Sequence, residues 1–289
     1  MSSKRFLKDG LGSRMKYFEN VRKEYLPTKL PVIIRIDGRA FHTFTRGFDR
    51  PFDNIFIQAM QKTAEVLCKE ISGCKLAYTQ SDEISLLVTD YDRPEQQAWF
   101  GNNLQKLVSV SASIATQAFN RIFYELVIAE YVLPDTSEKF FIGNTIDSNV
   151  LSKYAAYYDK FFAATFDSRA FAIPKDEVCN YFIWRQQDAI RNSILMTAQS
   201  ILPLRELHGK NCTELKQMLA DRSVIWDDFA PTLRHGSCAV YEEYLKDDVV
   251  RHRWTTDTNI PVFTKDRSYI DRYVYTAEEI EQMQQESAT

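Results

Sequence analysis

The chain has 289 residues, 45% of them hydrophobic and 26% charged, with a formal net charge of −3. That is the balance of a soluble globular protein with one large domain or two unequal ones, and it argues against a surface coated throughout for nucleic acid. No window reaches the apolar length of a membrane span, Met1-Ser2-Ser3-Lys4-Arg5-Phe6 lacks a signal-peptide core, and five scattered cysteines without a C-x-x-C pair predict reduced thiols in a cytoplasmic protein.

Residues 1–30 read as a basic arm, with eight basic residues (Lys4, Arg5, Lys8, Arg14, Lys16, Arg22, Lys23, Lys29) against three acidic ones. Within it Met15, Tyr17, Phe18, Val21 and Tyr25 predict a short amphipathic helix over 13–25, which Pro27 and Pro31 end. Residues 32–37 then form an apolar strand. Gly38 follows Asp37, where a missing Cβ lets the backbone approach a ligand. Asp53 is a candidate N-cap for a helix over 54–71. Residues 74–80 and 84–89 read as a hairpin joined by Ser81-Asp82-Glu83. A helix from Leu104 to Val127 and a strand over 161–166 complete the set. The region 171–289 reads as mostly helical, opened by a long segment from Lys175 to Gln199 and interrupted by Pro203. A second basic cluster holds Arg251, His252, Arg253, Lys265, Arg267 and Arg272, and the tail over 277–285 is polar.

The order β-α-β-β-α-β predicts an α+β fold of the ferredoxin-like, polymerase-palm type, an antiparallel sheet with two helices on one face, over residues 31–170. In that topology the first strand lies beside the third, so Asp37 and Asp82 become neighbours. Two carboxylates and the Gly38 carbonyl are hard oxygen ligands suited to magnesium, and a two-metal site about 3.5–4 Å across is a recurring device for nucleotidyl transfer. An isolated acid at a strand end is more often a turn former; two converging acids point to a site.

Several ordered blocks carry a family resemblance: Leu11-Gly12-Ser13-Arg14-Met15-Lys16, Arg35-Ile36-Asp37-Gly38-Arg39-Ala40-Phe41-His42, Phe44-Thr45, Pro51-Phe52-Asp53, Gln80-Ser81-Asp82-Glu83-Ile84-Ser85, Phe166-Asp167-Ser168-Arg169 and Trp184-Arg185-Gln186-Gln187-Asp188, on to Trp226 and Gly236. Together, over roughly residues 10–240, they resemble the tRNA-His guanylyltransferase superfamily, nearest its bacterial and archaeal guanylyltransferase-like branch of 3′–5′ polymerases. The resemblance implies a palm enzyme that adds nucleotides to the 5′ end of tRNA, using two Mg2+ ions with ATP and GTP, and other nucleoside triphosphates as templated. By resemblance Asp37, the Gly38 carbonyl and Asp82 hold the metals. Asp37, Gly38, Arg39, Ala40, Phe41, His42, Ser81, Asp82 and Lys106 contact the nucleotide, and Glu83 supports the catalytic pair. Arg46 and Arg50 are further basic candidates, and His42 reads equally as a rim histidine under Phe41 and Phe44. The chemistry implied is activation of a 5′-monophosphate by adenylylation, or use of a 5′-triphosphate, followed by attack of the incoming 3′-hydroxyl.

Where enzymes that extend tRNA-His carry a His-Ile-Asn-Asn block, this chain reads Ala189-Ile190-Arg191-Asn192-Ser193. That departure points to template-dependent repair of 5′-truncated tRNA over guanylate addition to tRNA-His. The resemblance also implies a homo-oligomer, a tetramer. Two alternatives stand beside this reading: a palm-type nucleotidyl cyclase that needs no RNA, and a catalytically silent tRNA-binding subunit, against which Asp37, Asp82 and Glu83 speak. His208, Cys212, His235 and Cys238 have a spacing nominally compatible with structural zinc. Tyr131, Tyr154, Tyr157 and Tyr158 lie in a connection over 128–160 and could stack on bases or pack internally.

Overall fold

Val32, Ile33, Ile34 and Ile36 are buried on alternate faces of one strand, so that strand lies at the heart of a two-sided core. A computed structural model of the chain describes residues 10–132, 141–142, 145–146, 148–247 and 249–287. In chain order its main elements are α1 (Leu11–Asn20), β1 (Val32–Gly38), α2 (Asn54–Glu70), β2 (Cys74–Gln80), β3 (Glu83–Val88), α3 (Leu104–Tyr131), α4 (Ser148–Tyr158), β4 (Phe166–Ala172), α5 (Lys175–Ile201), α6 (Cys212–Ala220), β5 (Ser237–Lys246), β6 (Val249–Asp257) and α7 (Ala277–Ser287). The six strands form one antiparallel sheet in the order β4-β1-β3-β2-β5-β6.

The first four strands have the expected ferredoxin-like order. α2 and α3 cover one face, packing Met60, Leu67, Phe119 and Phe123 on Ile34, Ile36 and Leu86. α5 covers the other with Val178, Cys179 and Phe182 against Ile33, Tyr78 and Leu87. Asp53 caps α2 as expected, accepting from the Phe56 amide at 2.9 Å.

Two expectations shift. The strand expected at 161–166 begins at Phe166, because pairing with β1 starts at Phe166–Gly38 and the residues before it are held in a turn. The Asn120 side chain makes that turn, donating to the Ala164 carbonyl at 2.9 Å and accepting from its amide at 3.1 Å. The region 171–289 also adds β5 and β6 to the sheet. Beyond Tyr241 most of the hairpin's residues on both strands are exposed, so no inside–outside alternation marks it in sequence.

The basic arm is thinner than its count. Lys4, Arg5 and Lys8 lie outside the described residues, and Lys29 is engaged elsewhere. Its amide donates to Asp90 Oδ1 at 2.8 Å, while its ammonium bonds the carbonyls of Asp90, Pro94 and Gln96 at 2.7, 3.1 and 3.0 Å. Among the described residues no helix is long and apolar enough to cross a membrane.

Candidate active site

β1 and β3 run antiparallel with Asp37 opposite Glu83, and β2 enters β3 through a two-residue turn, Ser81-Asp82. Ser81 adopts a left-handed φ of 50°, which folds the turn back over the end of β1. There the Gly38 amide donates to the Asp82 carbonyl at 3.0 Å, so the strand that ends in one acid is tied directly to the turn that carries the other. The Ser81 hydroxyl donates to Asp82 Oδ1 at 3.0 Å. Burial pushes the Asp82 carboxyl up, and the negative charge of Asp37 adds to the shift; the Ser81 hydrogen bond and His42 pull the other way.

The chain after β1 is anchored by its aromatics. Phe41 and Phe44 are buried and stack on each other at 4.8 Å, with Phe166 at 5.0 Å from Phe41. A Cβ on Gly38 would stand 2.4 Å from the Phe41 ring. The glycine expected to admit a ligand therefore admits its own chain's phenylalanine. Ala40, with φ 56°, turns the chain into the single helical turn Phe41–Phe44. The amides of Ala40, Phe41 and His42 meet no acceptor among the described residues, and a left-handed residue followed by right-handed ones makes a concave nest of N–H groups suited to an anion.

These pieces line one cavity of about 540 Å3, which holds Asp37, Gly38, Ala40, Phe41, His42, Ser81 and Asp82, with Thr45, Asp49 and Arg50 on one side and Met196, Gln199 and Ser200 of α5 on another. Two neighbouring carboxylates, one of them desolvated, form an arrangement that a hard cation relieves. Among the described residues no three His, Cys, Asp or Glu side chains gather to hold a metal alone. Two carboxylates and a backbone carbonyl fit magnesium, which keeps water and substrate phosphates in its other positions.

Glu83 lies outside this cavity lining and is committed below it. Arg185 Nε of α5 donates to Glu83 Oε1 at 2.7 Å, Arg35 Nε lies 3.9 Å from Oε2, and the Ser85 hydroxyl donates to Oε1 at 3.3 Å. Arg185 also bonds Asp188 at 2.9 Å, which holds Arg191 at 2.8 Å. Burial raises the Glu83 carboxyl even so, with the two arginines opposing. Arg35 Nε is buried without a hydrogen-bond partner. An arginine inside Val-Ile-Ile-Arg-Ile is a signal for a buried ion partner; nothing local marks Gln199 or Ser200.

Other expected residues fall elsewhere. Lys106 is exposed in the first turn of α3, over the Phe100 ring at 5.5 Å and outside the cavity lining. α3 runs from there toward the carboxylate end, reaching Ser168 of β4 only at Ser111. Arg39 and Arg46 are exposed. The zinc pattern is not assembled. His235 is buried, with Nε2 donating to the Ile260 carbonyl at 3.0 Å and burial lowering its pKa, while Cys238 is fully buried in β5 and His208 is exposed. Among the tyrosines, Tyr157 is buried and donates to Asp53 at 2.6 Å; Tyr158 is exposed.

The profile of the tRNAHis guanylyltransferase family matches residues 12–174. A bacterial tRNA(His) guanylyltransferase (Thg1)-like protein solved in complex with ATP superposes with a TM-score of 0.76 at 40% identity, over 93% of this chain and 100% of its own. The same kind of protein in complex with GTP gives 0.73 at 40% identity over the same shares. The tRNA(His) guanylyltransferase of Schizosaccharomyces pombe is 30% identical across 65% of this chain and 62% of its own length. The fold and these likenesses define a nucleotidyltransferase. The chain belongs to the tRNAHis guanylyltransferase family, as the blocks in its sequence led us to expect.

Proposed function

We propose that this enzyme adds nucleotides to the 5′ end of tRNA, in the 3′→5′ direction, and that its task is templated repair of 5′-truncated tRNA. The observation that carries the reading is the Gly38–Asp82 tie, which sets Asp37 and a desolvated Asp82 side by side at the mouth of the cavity. Asp37, Asp82 and the Gly38 carbonyl would hold magnesium, two ions by the resemblance. Magnesium bound there supplies charge neutralisation at the transferring phosphorus and at the attacking oxygen.

The protein's own part is positioning. The amides of Ala40, Phe41 and His42 receive triphosphate oxygens, and Ser81 steers Asp82 through its hydroxyl. Glu83 stays bound to Arg185 and fixes the first residue of β3 behind the turn. ATP and GTP are the expected nucleotides, since a family relative is solved with each. Lys106 has no place in this account of the nucleotide site.

For repair over tRNA-His extension, the supporting feature is the block on α5. Ala189 is buried, and the Ser193 hydroxyl donates to the Leu233 carbonyl at 2.8 Å and accepts from Trp226 Nε1 at 3.0 Å. Those two positions serve packing, and the block offers no histidine. The resemblance further implies a homotetramer, measurable by analytical ultracentrifugation.

The test is a 5′-labelled tRNA lacking its first nucleotide, incubated with magnesium, ATP and all four nucleoside triphosphates, with products resolved one nucleotide at a time. Addition of only the complementary nucleotide, lost in Asp37→Ala and in Asp82→Ala while circular dichroism is unchanged, is the expected result. Cyclic product without RNA, or bound tRNA that is never extended, would replace this reading with the cyclase or the silent subunit.

A further inference from the structure

On the outer side of α3, where β4 forms the edge of the sheet, an open groove of about 700 Å3 runs between Thr116, Gln117 and Arg121 of the helix and Phe162, Thr165 and Phe166 of the chain entering β4. At its rim Phe162 is 66% exposed and has a left-handed φ of 58°. A bulky side chain adopts that backbone only where its surroundings impose it, and such residues concentrate at functional sites. The imposition is visible. Two residues on, the Asn120 clamp grips both backbone groups of Ala164, so the ring is held out in water by a fixed turn.

Phe162 does not stand alone. The Tyr124 ring lies 5.4 Å away, tilted by 30°, and Tyr158 is 59% exposed on the neighbouring turn. The groove lining beside these rings is mostly apolar, with Ser113, Thr116, Gln117 and Arg121 supplying polar groups along it, Arg121 bonded to Glu125 at 3.3 Å. It is also continuous with the catalytic end of the sheet: the Arg39 amide donates to the Thr165 carbonyl at 2.9 Å, and Phe166 pairs with Gly38. Exposed aromatics beside a largely apolar groove with a few hydrogen-bonding side chains suit single-stranded RNA, because unpaired bases stack on rings and offer their edges to side chains.

We propose that this groove binds the unpaired 3′ tail of the tRNA acceptor arm and that one of its bases stacks on Phe162 and Tyr124. The inference rests on the tRNA 5′-end reading above. In an acceptor arm the 3′ tail springs from the strand opposite the 5′ nucleotide, so an enzyme that seats the 5′ end at Asp37 and Asp82 must lodge the tail close by. The groove beside Arg39 and Thr165 is a neighbouring recess with a stacking surface.

The experiment measures fluorescence anisotropy of intact tRNA and of tRNA trimmed of its unpaired 3′ tail, binding to wild type, Phe162→Ala and Phe162→Trp. Wild type is expected to hold intact tRNA about tenfold more tightly than trimmed tRNA, the scale of one base stack. Phe162→Ala should bind both with the trimmed affinity, and Phe162→Trp should restore the difference. ATP affinity, unchanged in both variants, shows that they fold. Equal binding of the two tRNAs by wild type overturns this proposal alone, and so does a Phe162→Ala loss shared by both tRNAs or a change in oligomeric mass in its place. Failure of wild type to bind either tRNA overturns the 5′-end reading along with it.

Discussion

Replacing Arg185 by methionine isolates the strut beneath the Ser81-Asp82 turn. Its side chain is 9% exposed and that of Glu83 15%, so the pair at 2.7 Å is nearly desolvated. Removing one member of such a pair costs about 3–5 kcal/mol, because the other charge is left buried. Arg35 at 3.9 Å still faces the stranded carboxylate and offsets part of this, which brings the expected loss to about 2–3 kcal/mol. Methionine keeps the packing of the aliphatic stem, so the loss reports the charge. For a chain of this size that is a fall in Tm of about 3–5 °C. Urea unfolding of Arg185→Met, Glu83→Gln and the double variant would give the coupling directly. We expect about 2 kcal/mol of coupling, since the double variant removes both charges of the pair, although Arg35 then loses its carboxylate. The pH dependence has a definite sign. Burial already holds the Glu83 carboxyl above its ordinary range, and losing Arg185 raises it further. The folded protein then takes up the proton at higher pH than the unfolded chain, so the variant's deficit is full at neutral pH and shrinks as pH falls through the raised value. Additive single losses, or a deficit that does not shrink in acid, would refute the strut.

Gly38→Ala places a Cβ 2.4 Å from the Phe41 ring, so calorimetry should find a loss of about 1–3 kcal/mol together with weaker ATP binding as the amides of Ala40 to His42 shift. Lys29→Met removes three bonds to the carbonyls of Asp90, Pro94 and Gln96, of which water can replace the exposed two, and should cost about 1 kcal/mol in urea unfolding without changing tRNA affinity, which distinguishes a structural lysine from an RNA contact. Asp82→Asn should remove a pH dependence from the ligand-free protein. In wild type the raised Asp82 carboxyl makes stability fall as pH rises from the ordinary carboxylate range through its folded value, and thermal melts of the variant should lack that slope.

The convergence of Asp37 and Asp82 was legible because it follows from strand order alone: once 32–37, 74–80 and 84–89 are strands of a split β-α-β unit, the first and third must be neighbours. The reason for Gly38 was not legible, since the ring that fills its Cβ space comes from Phe41, whose orientation depends on the aromatic cluster with Phe44 and Phe166. Lys106, assigned a phosphate contact by resemblance, is exposed in the first turn of α3 and outside the cavity lining that holds the two acids, a placement that depends on where the helix starts relative to the sheet. β5 and β6 escaped because their outer halves have no buried face, and without one a strand has no period to read. His235 and Cys238 had ligand spacing but point into a packed core, which spacing cannot reveal.

α5 serves the site at two levels. Arg185 grips Glu83 under the turn, and Met196, Gln199 and Ser200 wall the cavity above it, about 20 Å further along the same helix. No break in the helix separates them, since Lys175–Ile201 is continuous and its middle is pinned by Ala189 in the core and by the Ser193–Trp226 and Ser193–Leu233 bonds. The Arg185–Glu83 bond is therefore the point where the helix that walls the cavity is tied to the strand behind the Asp82 turn. This accounts for a buried ion pair where an apolar contact would serve stability as well: an apolar contact tolerates sliding, whereas a 2.7 Å charge-assisted hydrogen bond fixes the register of helix against strand.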